Sequence, residues 1–171
     1  GRIDGLLAAP PCTAFAGSGA RWWADKDSYS PEYFPFDSFT EYMVSLTRIV
    51  LVMVEKFQPK FWALENPVGR IESLVPELRP YRRISFDPCD YGDPYTKRTI
   101  LWGNFNPNLK KTWVNPTEGS KMHRIPPGKN RMSLRSTTPE GFARAFFNAN
   151  KLSGKKKVRR IMVRPNILEA V

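Results

Sequence analysis

The chain has 171 residues, 41% hydrophobic and 13% aromatic, with 27 Lys and Arg against 16 Asp and Glu for a formal charge of +11. That length fits one domain with a buried core, and the composition excludes wholesale disorder. The longest unbroken apolar run, Ile49 to Val54, is far shorter than the roughly 18 residues of a membrane span, and two cysteines with one histidine exclude a disulfide scaffold or a structural metal site.

Ile3-Asp4-Gly5-Leu6-Leu7-Ala8-Ala9 reads as a buried strand broken by Pro10-Pro11, and the acid so near the start argues against a secretory signal. Residues 10–37 collect Gly, Ser, Pro and seven aromatics (Phe15, Trp22, Trp23, Tyr29, Tyr33, Phe34, Phe36) and read as a long functional loop. Ser38 and Glu41 match a capping box opening a helix. In it Phe39, Tyr42, Met43, Leu46, Ile49, Val50, Met53, Val54 and Phe57 recur at helical spacing as a core stripe until Pro59. Lys60 to Leu64 is the next strand, with Glu65-Asn66-Pro67 at its end and a short helix from about Arg70 to Leu78. Arg83 to Phe86 and Thr99 to Trp102 read as two further strands joined by a turn-rich link, a hairpin candidate. Residues 104–135 read as loop, and Thr138-Pro139-Glu140 opens a last helix through about Ala149 with Phe142, Ala145 and Phe146 on one face. Residues 151–171 hold seven of the basic residues and one Glu, a basic tail that favours a polyanionic partner but reads equally as a solvated solubility tail. The order of elements implies parallel pairing and an α/β architecture.

Parallel sheets place ligand loops at the carboxyl ends of their strands, where Pro10-Pro11-Cys12, Glu65-Asn66-Pro67 and Tyr91-Gly92-Asp93-Pro94 fall. A thiol in such a turn becomes a nucleophile where positive charge lowers its pKa, although Cys12 alone reads more readily as an ordinary buried cysteine. Glu65 at the end of an apolar strand suits a proton donor, and alone it reads as well as a helix-capping carboxylate. Cys89 reads as packing.

Taken together, the three segments resemble motifs of the DNA cytosine-5 methyltransferase family. Asp4 to Gly19 is similar to its nucleophile motif, with Thr13 where Gln is usual and Ala16 where Ser is usual. Phe61-Trp62-Ala63-Leu64-Glu65-Asn66-Pro67 is similar to its Glu-Asn motif, with Pro67 in place of Val. Asp90 to Arg98 resembles Tyr-Gly-Val-Pro-Gln-x-Arg-x-Arg; there Tyr95 stands for Gln, Lys97 for the first Arg and Thr99 for the second, while Arg98 lies between the slots. The likeness covers residues 3 to about 103 and, more loosely, Thr137 to Asn150. The short 104–135 link leaves almost no room for a target-recognition domain, and in this brevity the chain resembles compact forms carried by bacteriophages.

The resemblance implies a partial Rossmann-like S-adenosylmethionine-dependent methyltransferase fold with a mixed sheet. Residues 1–150 would be the catalytic portion and 151–171 the tail. It implies that Cys12 adds to cytosine C6, that Glu65 protonates or hydrogen-bonds N3, and that Asn66, Lys97, Arg98, Pro11 and Ser18 bind substrate. Pro10 and Asn148 would touch S-adenosylmethionine, the methyl donor. DNA is the implied partner, with the target base flipped out or single-stranded and Arg21, Trp22 and Trp23 as candidates to offset that cost. The setting would be the cytoplasm of a bacterial or phage-infected cell, without membrane or metal. The family's Phe-x-Gly-x-Gly cofactor loop and ribose-binding acid would lie before this chain's start, in a missing or separate N-terminal segment. A non-catalytic nucleic-acid-binding protein derived from the same fold is the alternative. An amino-group methyltransferase is weaker still, because Ala9-Pro10-Pro11-Cys12 lacks the polar first residue and the aromatic of its motif.

Overall fold

A computed structural model describes residues 3–28, 33 and 35–151. Tyr29, Phe34 and all but the first residue of the basic tail lie outside the described residues. The strands are β1 (Gly5–Ala8), β2 (Phe61–Pro67), β3 (Arg82–Phe86) and β4 (Thr99–Asn104). The helices are α1 (Trp23–Asp27), α2 (Phe39–Phe57), α3 (Ile71–Leu74), α4 (Lys121–Arg124), α5 (Arg131–Ser136) and α6 (Glu140–Asn150). They build the α/β architecture with a mixed four-stranded sheet, ordered β1-β2-β4-β3. β1 and β2 run parallel with Gly5 opposite Phe61 and Ala8 opposite Leu64, and the consecutive strands β3 and β4 are neighbours, as the hairpin reading expects.

The described residues form two compact units, one holding those up to 84 with 100–105, the other holding 85–99 with 106–151. In the first, α2 is the principal packing element. Ser38 is its N-cap and accepts a hydrogen bond from the Glu41 N–H, while the Glu41 carboxylate accepts from the Asp37 N–H instead of the Ser38 N–H of a strict capping box. Gln58, in the left-handed conformation, ends the helix before Pro59. The buried face is Phe39, Met43, Val44, Thr47, Val50 and Leu51, and the Thr47 hydroxyl is satisfied by the Met43 carbonyl. Ile49 and Met53, counted in the expected stripe, are exposed because nine positions span a wider arc than one packed face covers. That face meets Leu6, Trp62, Leu64, Ile100 and Trp102 in one core cluster.

Three local readings are corrected. The 10–37 loop contains a 3-10 turn at Gly17–Trp22 and then α1, because residues 20–30 carry no Gly or Pro to break a helix. The expected helix at 70–78 is split into α3 and a 3-10 turn at Pro76–Leu78, since a proline disfavours helical backbone in the residue before it and Val75 leaves the helical region, with φ −128° and ψ 70°. The 104–135 loop contains α4 and α5.

The second unit packs on aromatic rings. Phe86 stacks on Phe142 of α6 with centroids 4.0 Å apart, and Tyr91 and Phe146 flank the pair. The Gly141 N–H donates to the Asp93 carboxylate, and a Cβ at Gly141 would run into the Tyr91 carbonyl. α6 can therefore approach the Pro88–Tyr91 turn only because position 141 has no side chain. Among the described residues no helix is long and apolar enough to cross a membrane.

Ser38→Ala should lower the free energy of unfolding by about 1 kcal/mol in urea titration, with Ser38→Asp near wild type. Gly141→Ala should cost about 1–3 kcal/mol by overpacking; an unchanged midpoint would contradict the close approach of α6.

Candidate active site

Because β1 and β2 are parallel, both release the chain at the same edge of the sheet, and the last registered pair is Ala8 with Leu64. Beyond that pair one strand runs into Pro10-Pro11-Cys12 and the other into Glu65-Asn66-Pro67. Alternation along β2 buries Trp62, Leu64 and Asn66 on the core face and puts half-buried Glu65 on the opposite one. The Asn66 amide Nδ2 donates to the Pro10 carbonyl at 3.2 Å, which fastens the strand end to the turn that carries the thiol. Asn66 Oδ1 is buried without a hydrogen-bond partner among the described residues.

Cys12 is half-buried, and its carbonyl accepts from the Phe15 N–H at 2.9 Å and the Ala16 N–H at 2.8 Å. Ala14 and Phe15 are fully buried and hold the far side of this turn in the core. The turn lies against the residues that follow β2: Gly17 N–H donates to the Val68 carbonyl and Ala16 bridges Gly69. A Cβ at Gly69 would collide with the Phe15 carbonyl, so the close approach needs glycine there. Pro10 is half-buried, Pro11 is exposed, and Ser18 is exposed on the 3-10 turn. The first unit thus brings Pro10, Pro11, Cys12, Glu65 and Asn66 to one edge.

The loop aromatics divide. Trp22 is 50% exposed with the Arg21 guanidinium 5.1 Å from its ring centroid. Trp23 is half-buried beneath Arg70, whose guanidinium carbon is 3.8 Å from its ring centroid. Arg70 also donates from Nε to the Ala14 carbonyl at 2.8 Å and from a terminal nitrogen to the Thr40 hydroxyl at 3.0 Å. In sequence Arg70 reads only as the start of a helix, and no motif marks it.

The remaining expected site residues belong to the second unit. The Lys97 ammonium donates to the Arg135 carbonyl at 3.0 Å, and its N–H donates to Asp87. Exposed Arg98 pairs with Asp87 at 3.1 Å and donates to Ser85. Asp87 also caps the Pro88–Tyr91 turn reciprocally with Asp90. Burial by itself would raise the Asp90 pKa, but the Asp87 N–H and Lys111 outweigh it and hold the carboxyl below its ordinary range. Burial first, then Asp87 and Asp90, push the buried Cys89 thiol up, so it stays protonated and packs as a small apolar group. Among the described residues no group of three or more His, Cys, Asp and Glu could hold a metal ion.

The two residues that the resemblance assigns to S-adenosylmethionine lie in different surroundings. Pro10 has no N–H and its carbonyl accepts from Asn66, while Asn148 is exposed with its amide oxygen accepting from Lys151.

Among known proteins, the chain is 25% identical over 119 residues to a protein of Methanocaldococcus jannaschii named as type II methyltransferase M.MjaORF1200P; the match covers 65% of this chain and 30% of that one. It is 27% identical over 116 residues to type II methyltransferase M.DdeI of Desulfomicrobium norvegicum, covering 58% of this chain and 24% of the relative. A solved DNA modification methyltransferase encoded within an E. coli prophage is 20% identical, with a TM-score of 0.36 over 60% of this chain and 26% of its own. No family model matches the chain. The relatives support the likeness to DNA methyltransferases, and the matched stretch spans 24% to 30% of their lengths.

Burial raises Cys89 above the ordinary 9.0 and Tyr91 and Tyr95 above the ordinary 10.0. The unfolded chain therefore releases these protons first. The stability they contribute is full below pH 9.0 and falls as pH rises through the folded-state values. Urea midpoints from pH 7 to 11 should decline above about 9, with Cys89→Ala removing the earliest part of the decline; a flat profile would contradict the burial of the thiol.

Proposed function

We propose that this relative of type II methyltransferases carries the target-base chemistry of a DNA cytosine-5 methyltransferase. The observation that carries the reading is the bond from buried Asn66 to the Pro10 carbonyl, which fastens the strand end bearing Glu65 to the turn bearing Cys12. A nucleophile and an acid from distant parts of the chain then serve one ring. The Cys12 thiolate adds to C6 of cytosine, forming a C–S bond and moving the ring electrons toward C5. Glu65 hydrogen-bonds or protonates N3 and so accepts the charge that develops there. Asn66, with its amide nitrogen committed to the Pro10 carbonyl, holds the loop that carries Cys12. Once C5 has taken up a proton from solvent, or a methyl group when the donor is bound, loss of its original proton restores the ring double bond and expels the Cys12 thiolate. Methyl transfer itself needs S-adenosylmethionine, and these residues supply no step of it.

A stacked, paired cytosine cannot reach such a turn, so the substrate is a flipped or single-stranded base, at a cost of a few kcal/mol. Exposed Trp22 with Arg21 beside it offers a stacking face and a cation on the loop that follows Cys12. Phosphate binding by Arg98 requires exchanging its pairing with Asp87 for one with DNA, which makes that contact salt-sensitive.

The addition step can be tested without the methyl donor, because a transient C6 adduct makes the C5 hydrogen exchange with water. DNA carrying tritium at cytosine C5 should lose it to solvent on incubation with the chain. Cys12→Ser should abolish the release and Glu65→Gln should slow it by about 10²–10⁴-fold. DNA bound without any release would favour the non-catalytic nucleic-acid-binding reading.

A further inference from the structure

Arg70 is the side chain through which the Cys12 turn meets the rest of its unit. It follows the end of β2, and its own N–H donates to the Phe15 carbonyl at 2.9 Å while Nε donates to the adjacent Ala14 carbonyl at 2.8 Å. Its outer nitrogen reaches the Thr40 hydroxyl on α2 at 3.0 Å, and the guanidinium plane covers the Trp23 ring of α1 at 3.8 Å. Thr40 is in turn bonded to Asp27 of α1, from its N–H at 2.9 Å and its hydroxyl at 3.0 Å. One guanidinium therefore joins the turn, both helices and the strand end. We infer that Arg70 is a positioning residue that fixes the Cys12 turn in the geometry its chemistry requires.

The lever is short. The Ala14 and Phe15 carbonyls that Arg70 holds belong to the same turn whose N–H groups at Phe15 and Ala16 clasp the Cys12 carbonyl. Releasing one side loosens the other, and a misplacement of about 1 Å in a reacting group costs about 10²-fold in rate. Arginine suits the task because a planar fork donates in two directions while its face stacks on an indole; a lysine ammonium can do neither together. This inference rests on the reading of Cys12 as the nucleophile, and part of its test does not.

The full chain would be compared with Arg70→Lys and Arg70→Gln by amide hydrogen exchange and by tritium release from cytosine C5. Both variants should keep protection at Thr47, Val50 and Leu51 of α2 and lose it at Phe15 and Ala16. At saturating DNA their release rate should fall about 10²-fold, while the DNA concentration giving half-maximal rate changes by less than about threefold, and Lys should not rescue. A folded variant that keeps protection at Phe15 and Ala16, or releases tritium at the wild-type rate, overturns the inference. Should both variants fail to fold, Thr40→Val removes one acceptor and keeps the branched shape; it should show the same two changes at about 3–10-fold smaller size, and wild-type behaviour there overturns the inference. No release from the wild-type chain overturns the Cys12 reading instead, and the exchange pattern alone then decides whether Arg70 holds the turn.

Discussion

The hydrogen bond from the Asn66 amide to the Pro10 carbonyl closes a separation of 56 residues in sequence, and the arrangement of the first unit depends on it. It exists because β1 and β2 are parallel, so that two chain reversals leave the sheet at one edge. An antiparallel pair would have sent the thiol and the carboxyl to opposite ends. The bond also satisfies one end of a polar side chain that is fully buried on the same strand as Trp62 and Leu64.

Around that bond the unit is braced by backbone as much as by side chains. Gly69 lets the Phe15 carbonyl approach, Ala16 bridges Gly69, and the Phe15 and Ala16 N–H groups fold the turn back on Cys12. A turn held mainly by main-chain bonds is rigid without presenting bulk. Arg70 adds the tie to α1 and α2, so the loop after Cys12 is part of the packed unit and Trp22 is what it offers to solvent.

The second unit treats its cations differently. Lys97, Arg98 and Lys111 are engaged by the Arg135 carbonyl, Asp87 and Asp90, and those acids also cap the Pro88–Tyr91 turn. The charge that a polyanion would meet is thus partly spoken for by local structure. In contrast, residues 119–139 contain five Lys and Arg and no acid, so the net positive charge of the described chain is concentrated there.

Strand positions, the long helix and the closing helix were legible in sequence because each is a local pattern: apolar runs ended by proline, a cap followed by helical periodicity, and Phe142 with Phe146 one turn apart. The strand ends and the motif resemblance singled out Cys12, Glu65 and Asn66 as candidates. Helix α1 and the role of Arg70 were not legible, since α1 is only five residues long and is held by Thr40–Asp27 and Arg70–Trp23, contacts that no local spacing encodes. Nor could the sequence say that Ile49 and Met53 face outward, because apolar spacing marks a candidate face without saying what covers it. What the sequence by itself determined was the kind of residue at each strand end; what only the tertiary structure decided was which atoms of those ends join, because a hydrogen bond across 56 residues is fixed by strand direction and packing and not by neighbours along the chain.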